Sequence, residues 1–320
     1  MKKLTCAILI FLQSLSTYAD MPELKNWGLK NDLGDSHIHA MDAWRITEGS
    51  RNVVVAVIDT GIDANHPDLK NNLWHDPVTG AYGWDVITGQ ANPNDEHGHG
   101  THIAGIIGAS MNRAAGISGV VHKVSIMSVK YYSEKVSGAQ NLRNSIIALN
   151  YAVDHGADII NYSGGGPEFS REELEALRRA EAKGILIVAA AGNEHDDIDV
   201  STNYYYPCAY RLSNIVCVAS LTVQNRLLSS SNYGANHVDL GAPGENILST
   251  IPGGKYAYMS GTSQATAFVT GAAVLILAKH PGMRPDAIRN LLRSSTDKIP
   301  ALAGKTISGG KLNAYSALLR

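Results

Sequence analysis

The stretch NVVVAVID, Asn52–Asp59, is an almost unbroken run of Val, Ile and Ala that ends at a carboxylate. An apolar run of this length, rich in β-branched residues, is typical of a strand that is buried on both faces of a sheet. Similar runs follow along the chain, and each is also predicted to be a buried strand. They are Val124–Tyr131, Ala157–Ser163, Gly184–Asn193 and Asn214–Ser220.

Amphipathic stretches separate these strands. Four apolar residues share one face of a predicted helix, namely Leu142, Ile146, Leu149 and Val153. A second predicted helix, REELEALRRAEAKG, begins acidic, becomes basic and stops at Gly184, as the helix dipole and C-cap preferences favour. The alternation predicts an α/β fold, a doubly wound and mostly parallel sheet flanked by helices. Sites in such sheets lie beyond the carboxyl ends of the strands.

The 320 residues are 44% hydrophobic and 18% charged, which suits one large globular domain over residues 44–320. The formal net charge of −2 gives no reason to expect nucleic acid or an anionic membrane as a partner. Residues 1–19 read as a secretory signal peptide, because two lysines precede the apolar run Leu4–Leu12 and small residues offer cleavage after Ala19. That run is shorter than the ~20 residues of a transmembrane helix, and no other segment is expected to span a bilayer.

Export predicts a secreted or periplasmic protein whose mature chain begins with residues 20–43. The mature chain keeps Cys208 and Cys217. In an oxidising compartment, two cysteines this close in sequence indicate a local disulfide. Two small buried side chains are the alternative, because free cysteine is often a core residue.

Three elements carry residues that are suited to catalysis. Asp59 ends a buried strand, where an unpaired carboxylate is costly, although Asp also serves as a turn residue there. The stretch HGHGTHIAG places His99 in the first turn of a predicted helix. Ser263 precedes the apolar helical run Ala265–Ala278, so unpaired N–H groups and the helix dipole favour negative charge beside it. Taken alone, Ser263 reads equally as an N-cap.

In the order Asp59, His99, Ser263, these motifs resemble those of the subtilisin-like serine proteases. The similarity extends from about Trp44 to Leu319 and includes VIDTGID, HGTHIAG, NYSGGGP, AAAGNE, YPCAY, GTSQATAFVTG and SGGKLNAYSAL. The resemblance implies that Ser263 is the nucleophile, that His99 is the general base and that Asp59 orients His99. It also implies that the amide of Asn193 and the Ser263 N–H stabilise the oxyanion.

The resemblance further implies that substrate backbone pairs with the chain as an added strand beside the primary specificity pocket. The implied binding residues are Ser163, Gly164, Gly165, Ala189, Ala190, Ala191, Glu194 and Tyr205. Glu194 and its acidic neighbours predict a preference for basic or extended polar side chains. Tyr205, at the base of the pocket, would shorten it.

A structural calcium ion is implied as a cofactor. The expected ligands are Asp68 and the loop around Asn112, with a second, weaker site at Asp85. Plain turn residues are the alternative at both places. A zinc site made of His97, His99 and His102 is disfavoured, because it leaves Asp59 and Ser263 unexplained.

The function that follows is a secreted serine endopeptidase that cleaves polypeptides through an acyl-enzyme. Alternatives are a catalytically weak binding or maturation module, or a bias toward ligase or esterase activity. Two departures from the family pattern, Gln264 and Ala267-Phe268, are expected to alter packing rather than the triad.

Only 39 residues, Asp20 to Ile58, lie between the predicted cleavage and Asp59. We therefore expect maturation without a large folded pro-domain, with folding supported by the core, calcium, or a separate chaperone or inhibitor chain.

Overall fold

The computed structural model describes residues 25–31, 34–110 and 116–320. The predicted signal peptide and Asn112 lie outside the described residues. Strands are β1 Gly49–Asp59, β2 Gly83–Asp85, β3 Gln90–Ala91, β4 Lys123–Lys130, β5 Ile159–Tyr162, β6 Leu186–Ala190, β7 Ile215–Leu221, β8 Leu240–Pro243, β9 Ile247–Ile251, β10 Lys255–Met259, β11 Asp297–Lys298 and β12 Gly310–Lys311. Helices are α1 Ala40–Trp44, α2 His99–Gly108, α3 Gly138–Asp154, α4 Arg171–Ala182, α5 Thr262–Lys279, α6 Pro285–Ser294 and α7 Ala314–Leu318.

The main sheet has the strand order β11-β12-β8-β7-β6-β5-β1-β4-β2-β3. Neighbours from β12 to β2 run parallel, and the edge strands β3 and β11 are antiparallel. The predicted mostly parallel α/β sheet is therefore confirmed. The chain passes from β1 to β4 on one side and then crosses to β5 on the other. This reversal places a crevice between the carboxyl ends of β1 and β5, where doubly wound sheets bind ligands.

Successive residues of β1 face opposite sides of the sheet, and each side has its own core. Val55 and Val57 pack in a core with residues of α2 and α5, whereas Ala56 and Ile58 pack in a core with residues of α3 and α4. All four side chains are buried. The continuous apolar run of β1 is thus explained by helices on both faces of the sheet.

Helix α3 buries a different face from the one that its apolar residues predict. Leu149 and Val153 are buried as expected, but Leu142 and Ile146 are only partly covered. Polar residues share the buried face instead, including Asn141, Asn144 and Ser145. Asn144 donates to the Tyr131 carbonyl and Asn141 exchanges hydrogen bonds with the Ser133 backbone, so the end of β4 satisfies these amides. The helix is therefore rotated so that its buried face meets the backbone of the segment after β4.

The composition of helix α5 differs from one sequence-based expectation. No segment beyond the N-terminus was expected to be apolar enough to cross a membrane. Helix α5 is long and apolar enough by length and composition alone, with a mean hydropathy of 1.2. In the structure 89% of it is buried inside the protein. Its composition therefore reflects a central core helix that packs against β1, β5, β6, β7 and β8.

Buried side chains hold the segment before α1 on the domain, and a disulfide holds the turn before β7. Leu29 and Ile38 are buried in the same core as α5, so the described residues before α1 pack on the domain rather than apart from it. Cys208 and Cys217 form a disulfide that joins a short turn to β7. The predicted local disulfide is thus present.

Candidate active site

Asp59 and His99 meet at the crevice between β1 and β5. Asp59 is the last residue of β1 and His99 is the first residue of α2. The His99 Nδ1 atom lies 2.8 Å from Asp59 Oδ1 and 3.0 Å from Oδ2. Asp59 is only 4% exposed, and it also accepts the Thr60 N–H. This arrangement directs the second ring nitrogen of His99 away from the carboxylate.

The surroundings of His99 favour its protonated form. Burial opposes the positive charge, but the negative charge and hydrogen bond of Asp59 outweigh burial, and Asp95 adds to them. The pKa of His99 is therefore raised above its ordinary value. An imidazole in this setting is a stronger base than a free histidine.

Ser263 lies in the first turn of α5, and its side chain faces the same crevice. Its hydroxyl donates to the Ser163 carbonyl at 3.1 Å. A cleft of about 220 Å³ brings the catalytic candidates together. It is lined by Asp59, Thr60, His97, His99, Tyr131, Tyr132, Ser163, Gly164 and Ser263.

Asn193 follows β6 and is exposed beside the start of α5. Its Oδ1 atom accepts the Thr262 N–H at 3.0 Å and the Thr262 hydroxyl at 3.2 Å. These two bonds fix the orientation of the amide plane. Because the oxygen is occupied, the NH2 group is the part of Asn193 that points away from Thr262.

Tyr205 occupies the space between two segments that were predicted to border the specificity pocket. A Cβ atom on Gly165 would lie 2.5 Å from one edge of the Tyr205 ring, and a Cβ atom on Gly192 would lie 2.9 Å from the other. Both positions therefore need glycine to admit the ring. Ala189 and Ala190 lie within β6, and Ala191 follows it; all three are buried.

Glu194 stands at the outer edge of this region. Asn232 holds it from two sides, with its Nδ2 atom 2.7 Å from Glu194 Oε2 and its Oδ1 atom accepting the Glu194 N–H. Burial, and next the charge of Glu194, raise the pKa of Tyr205. The carboxylate of Glu194 is therefore close enough to influence the pocket electrostatically.

Asp95 is an important residue that sequence reasoning missed. It is 3% exposed and accepts hydrogen bonds from Thr60, His97, Gly98 and Thr101, on both sides of His99 in the chain. The signal was present, because an acidic residue just before a predicted helix is an N-terminal cap. In the structure Asp95 fixes the first turn of α2.

A second cavity, of about 260 Å³, adjoins the cleft and was not predicted either. Tyr131 and Tyr132 line both spaces. The second cavity also includes Gly165, Gly166 and the polar residues of α3, and it contains the buried Glu173. Glu173 accepts hydrogen bonds from the hydroxyls of Tyr162 and Tyr210, so its carboxylate is satisfied at the base of the cavity.

The three histidines of HGHGTH do not converge on one point. His97 is exposed, and its Nε2 atom lies 3.2 Å from Glu134. His102 is fully buried, and its Nε2 atom lies 3.1 Å from the carbonyls of both Ile247 and Ala257. Burial lowers the pKa of His102 to about 4, so this ring is a neutral packing residue. The geometry gives no support to a shared zinc site.

Asp68 has the surroundings of a cation ligand. It is fully buried, and its Oδ2 atom accepts the Ile117 N–H and the Tyr256 hydroxyl. Its Oδ1 atom has no hydrogen-bond partner among the described residues, and a Cβ atom on Gly116 would lie 2.4 Å from it. Such an unsatisfied carboxylate oxygen beside Gly116 fits a hard cation.

Asp85 has different surroundings. Its Oδ1 atom accepts the backbone N–H groups of Ile87 and Thr88. These bonds cap the turn after β2, which is a common role of aspartate. They explain Asp85 without a cation.

Comparison with known proteins identifies the family of this chain. The sequence profile of the Subtilase family matches residues 50–311.

The chain belongs to the subtilase family.

Named relatives support this assignment. The chain is 37% identical over 285 residues to the "Thermophilic serine proteinase" of Bacillus sp. (strain AK1), covering 89% of this chain and 66% of that protein. It is 38% identical to "Thermitase" of Thermoactinomyces vulgaris, covering 89% of this chain and 95% of that protein. The "Major intracellular serine protease" of Bacillus subtilis (strain 168) is 40% identical over 240 residues, covering 75% and 72% of the two chains.

Membership of this family makes the protein a serine endopeptidase, a hydrolase with polypeptide substrates. The predicted subtilisin-like α/β fold and family resemblance are confirmed.

Proposed function

We propose that this subtilase is an exported endopeptidase whose catalytic triad is Asp59, His99 and Ser263. The observation that carries the proposal is the hydrogen bond between His99 Nδ1 and Asp59, in a cleft that Ser263 also lines. Asp59 holds the neutral imidazole with its proton on Nδ1, which leaves Nε2 free to accept a proton. The same carboxylate stabilises the imidazolium that then forms.

Catalysis requires the Ser263 hydroxyl to turn from the Ser163 carbonyl to His99 Nε2. Such bonds often form only when substrate is bound. The Ser263 Oγ atom then attacks the scissile carbonyl carbon while His99 takes its proton. His99 returns that proton to the leaving amine, so the peptide C–N bond breaks and an acyl-enzyme remains. A water molecule, activated by His99 in the same way, releases the acid.

The oxyanion of each tetrahedral intermediate would be stabilised by Asn193 and by the backbone N–H of Ser263. Thr262 orients the Asn193 amide through its oxygen, so the NH2 group is presented in advance. The N-terminus of α5 adds the positive end of the helix dipole. Removal of one such donor typically lowers the rate by about 10²–10³.

Substrate is proposed to lie as an extended strand along Ser163, Gly164 and Gly165, which follow β5. The side chain before the cleaved bond would then enter the space between this segment and the loop after β6, with Tyr205 as its floor and Glu194 at its rim. A more distant substrate side chain would enter the second cavity beside Tyr132. Side-chain-free glycines permit this close approach of two backbones.

Export and calcium complete the proposal. The predicted signal peptide would direct the chain out of the cytoplasm, and the disulfide between Cys208 and Cys217 suits an oxidising compartment. Asp68 and the loop that contains Asn112 would hold a structural Ca²⁺. When bound, the ion supplies positive charge that ties this loop to the fold, and it takes no part in the reaction.

One experiment tests the catalytic assignment. A phosphonylating reagent should modify Ser263 and abolish peptidase activity, and Ser263→Ala should retain only residual activity of the kind seen when a triad member is lost. Ser294→Ala, on the exposed surface of α6, is the matched control and should behave as wild type. Wild-type turnover by Ser263→Ala contradicts the proposal. A binding module is favoured instead if the wild-type protein binds peptides but is neither labelled nor active.

A further inference from the structure

A compact group of metal-binding side chains lies away from the catalytic cleft, between the segment before α1 and the hairpin of β11 and β12. Asp35, His37 and His39 each offer one ligand atom, and these atoms all lie within 4.8 Å of one another. In the sequence the three residues alternate as DSHIH. Ile38, between the two histidines, is fully buried and anchors the segment in the core.

The distances between the donor atoms suit a tetrahedral ion. Zn–N bonds of about 2.0–2.1 Å place neighbouring ligand atoms about 3.3 Å apart. His39 Nε2 lies 3.1 Å from Asp35 Oδ1, and His37 Nε2 lies 3.9 Å from the same oxygen. Small movements of the exposed Asp35 and the partly buried His37 and His39 side chains would bring all three into the first coordination shell. Asp35 is 70% exposed, so an ion can enter from solvent.

Residues of the C-terminal hairpin contact the two histidines of this group. Asp297 Oδ2 lies 3.4 Å from His39 Nε2 and provides a second negative charge. Asn313 and Lys311 donate to Asp297, and Lys311 also donates to the His37 carbonyl. Lys311 itself is 1% exposed, so its contacts hold both segments in fixed positions. Its positive charge partly offsets the acidic residues and will limit the affinity for a cation.

One further feature indicates more than a surface ion pair. His39 has a left-handed backbone conformation, with φ of 59°, which a non-glycine residue adopts only at some cost.

We propose that Asp35, His37 and His39 form a binding site for a borderline transition-metal ion such as Zn²⁺, with water completing the coordination. Two imidazoles and one carboxylate favour such an ion over Ca²⁺ or Mg²⁺, which prefer oxygen ligands. Bound metal cross-links these three side chains and so stabilises the segment before α1. The site is independent of the proposed catalytic function, because none of its residues lines the cleft.

Coordination through His37 has a cost that affects the expected affinity. His37 Nδ1 accepts the His39 N–H at 3.0 Å, which places the proton of the neutral ring on Nε2. Metal binding at Nε2 moves that proton to Nδ1 and breaks this hydrogen bond. We therefore expect affinity in the micromolar range rather than that of a closed structural zinc site.

Calorimetric titration of the full-length Ser263→Ala protein with ZnCl2, in excess Ca²⁺, tests the proposal. One Zn²⁺ per chain should bind and raise Tm, whereas MgCl2 should do neither. His37→Ala and His39→Ala should each weaken this binding at least tenfold and remove the Tm increase. Asp35→Asn, at an exposed position that leaves folding intact, should also weaken binding.

His75→Ala and His97→Ala are the matched controls, one in an exposed turn and one beside the catalytic cleft. Both should bind Zn²⁺ as the parent does. The proposal is overturned if zinc binding survives in His37→Ala, His39→Ala and Asp35→Asn, or if His97→Ala alone removes it. Circular dichroism separates loss of binding from loss of fold. Substitution with Co²⁺ should give the intense visible bands of tetrahedral coordination, and bands typical of six ligands would also contradict the proposed geometry.

Discussion

The backbone N–H and the hydroxyl of Thr101 both donate to the same oxygen of Asp95, at 2.9 and 2.6 Å. The other oxygen accepts the Gly98 N–H and the Thr60 hydroxyl. Asp95 therefore connects the first turn of α2 to the residue that follows β1. Because His99 lies between Gly98 and Thr101, this carboxylate fixes the backbone from which the imidazole projects toward Asp59.

The pH dependence of the wild-type enzyme should reflect the raised pKa of His99. The imidazole must be neutral to accept the proton of Ser263. Since Asp59 and Asp95 stabilise the charged form, protonation begins at a higher pH than for an ordinary histidine, whose pKa is about 6.5. The acid limb of kcat/KM should therefore have its midpoint above that value. A midpoint well below it contradicts the electrostatic description of the site.

Asp95→Asn should lower both stability and activity. The uncharged amide removes hydrogen bonds to a charged group, each worth about 1.5–3 kcal/mol. Its NH2 group also cannot accept the hydrogen bonds that Thr101 donates to the carboxylate. Loss of the negative charge should also move the acid limb of kcat/KM to lower pH. Urea unfolding and a pH–rate profile, corrected for the fraction of active enzyme by active-site titration, measure the two effects.

Asp76→Asn is the control for Asp95. Asp76 also accepts backbone N–H groups, from Val78 and Thr79, but in an exposed turn outside the cleft. It should leave the pH profile unchanged. If Asp95→Asn loses stability without any shift of the acid limb, Asp95 is a helix cap with no electrostatic influence on His99.

The sequence alone predicted the fold well, because strands that are buried on both faces of a parallel sheet are continuous apolar runs. All five predicted strands are present, with ends that differ by a few residues. The resemblance to the subtilisin-like proteases also implied that Asp59 orients His99, and the two side chains lie within hydrogen-bond distance in the structure.

Contacts between distant segments could not be predicted in the same way. The apolar face of α3 was assigned from periodicity, but Asn141 and Asn144 also lie on the buried face, where they bond the backbone of the segment after β4. The Tyr205 ring lies between Gly165 and Gly192, and only the tertiary structure shows that both glycines are needed for it. Asp297 and Lys311 likewise approach His37 and His39 from the other end of the chain.

Tyr205→Ala should change which side chain is accepted before the cleaved bond. The Tyr205 ring fills the space between Gly165 and Gly192, so its removal deepens the pocket. We expect kcat/KM for substrates with Phe or Leu at that position to rise about tenfold or more relative to Ala, since each methylene in an apolar pocket is worth about 1–3 kcal/mol. Paired peptide substrates measure this ratio, and Tyr204→Ala serves as the neighbouring control. An unchanged ratio shows that Tyr205 is not the floor of the pocket.

Glu194→Gln tests the proposed preference for basic side chains. The Glu194 carboxylate is held by Asn232 at the exposed edge of the pocket, where an ion pair is worth about 0.2–1 kcal/mol. The ratio of kcat/KM for Arg to that for the neutral Gln should therefore fall by a factor of about 1.4 to 5, and the loss should be smaller in high salt. Asp286→Asn, on α6, should not change the ratio. Wild-type enzyme that already disfavours Arg and Lys contradicts the preference itself.

Calcium should stabilise the fold through Asp68. The Ser263→Ala protein, which cannot digest itself, should lose several degrees of Tm when a chelator removes calcium, because a ligand at 100 times its Kd contributes about 2.7 kcal/mol. Asp68→Asn should abolish this dependence, since its buried Oδ1 atom has no hydrogen-bond partner in the described part of the chain and only a carboxylate supplies the full charge there. Asp85→Asn should keep the calcium dependence, because Asp85 caps a turn. If Asp85→Asn loses the calcium dependence of Tm and Asp68→Asn keeps it, the ion binds at Asp85. A wild-type-like Tm that does not respond to the chelator excludes a stabilising calcium ion at either position.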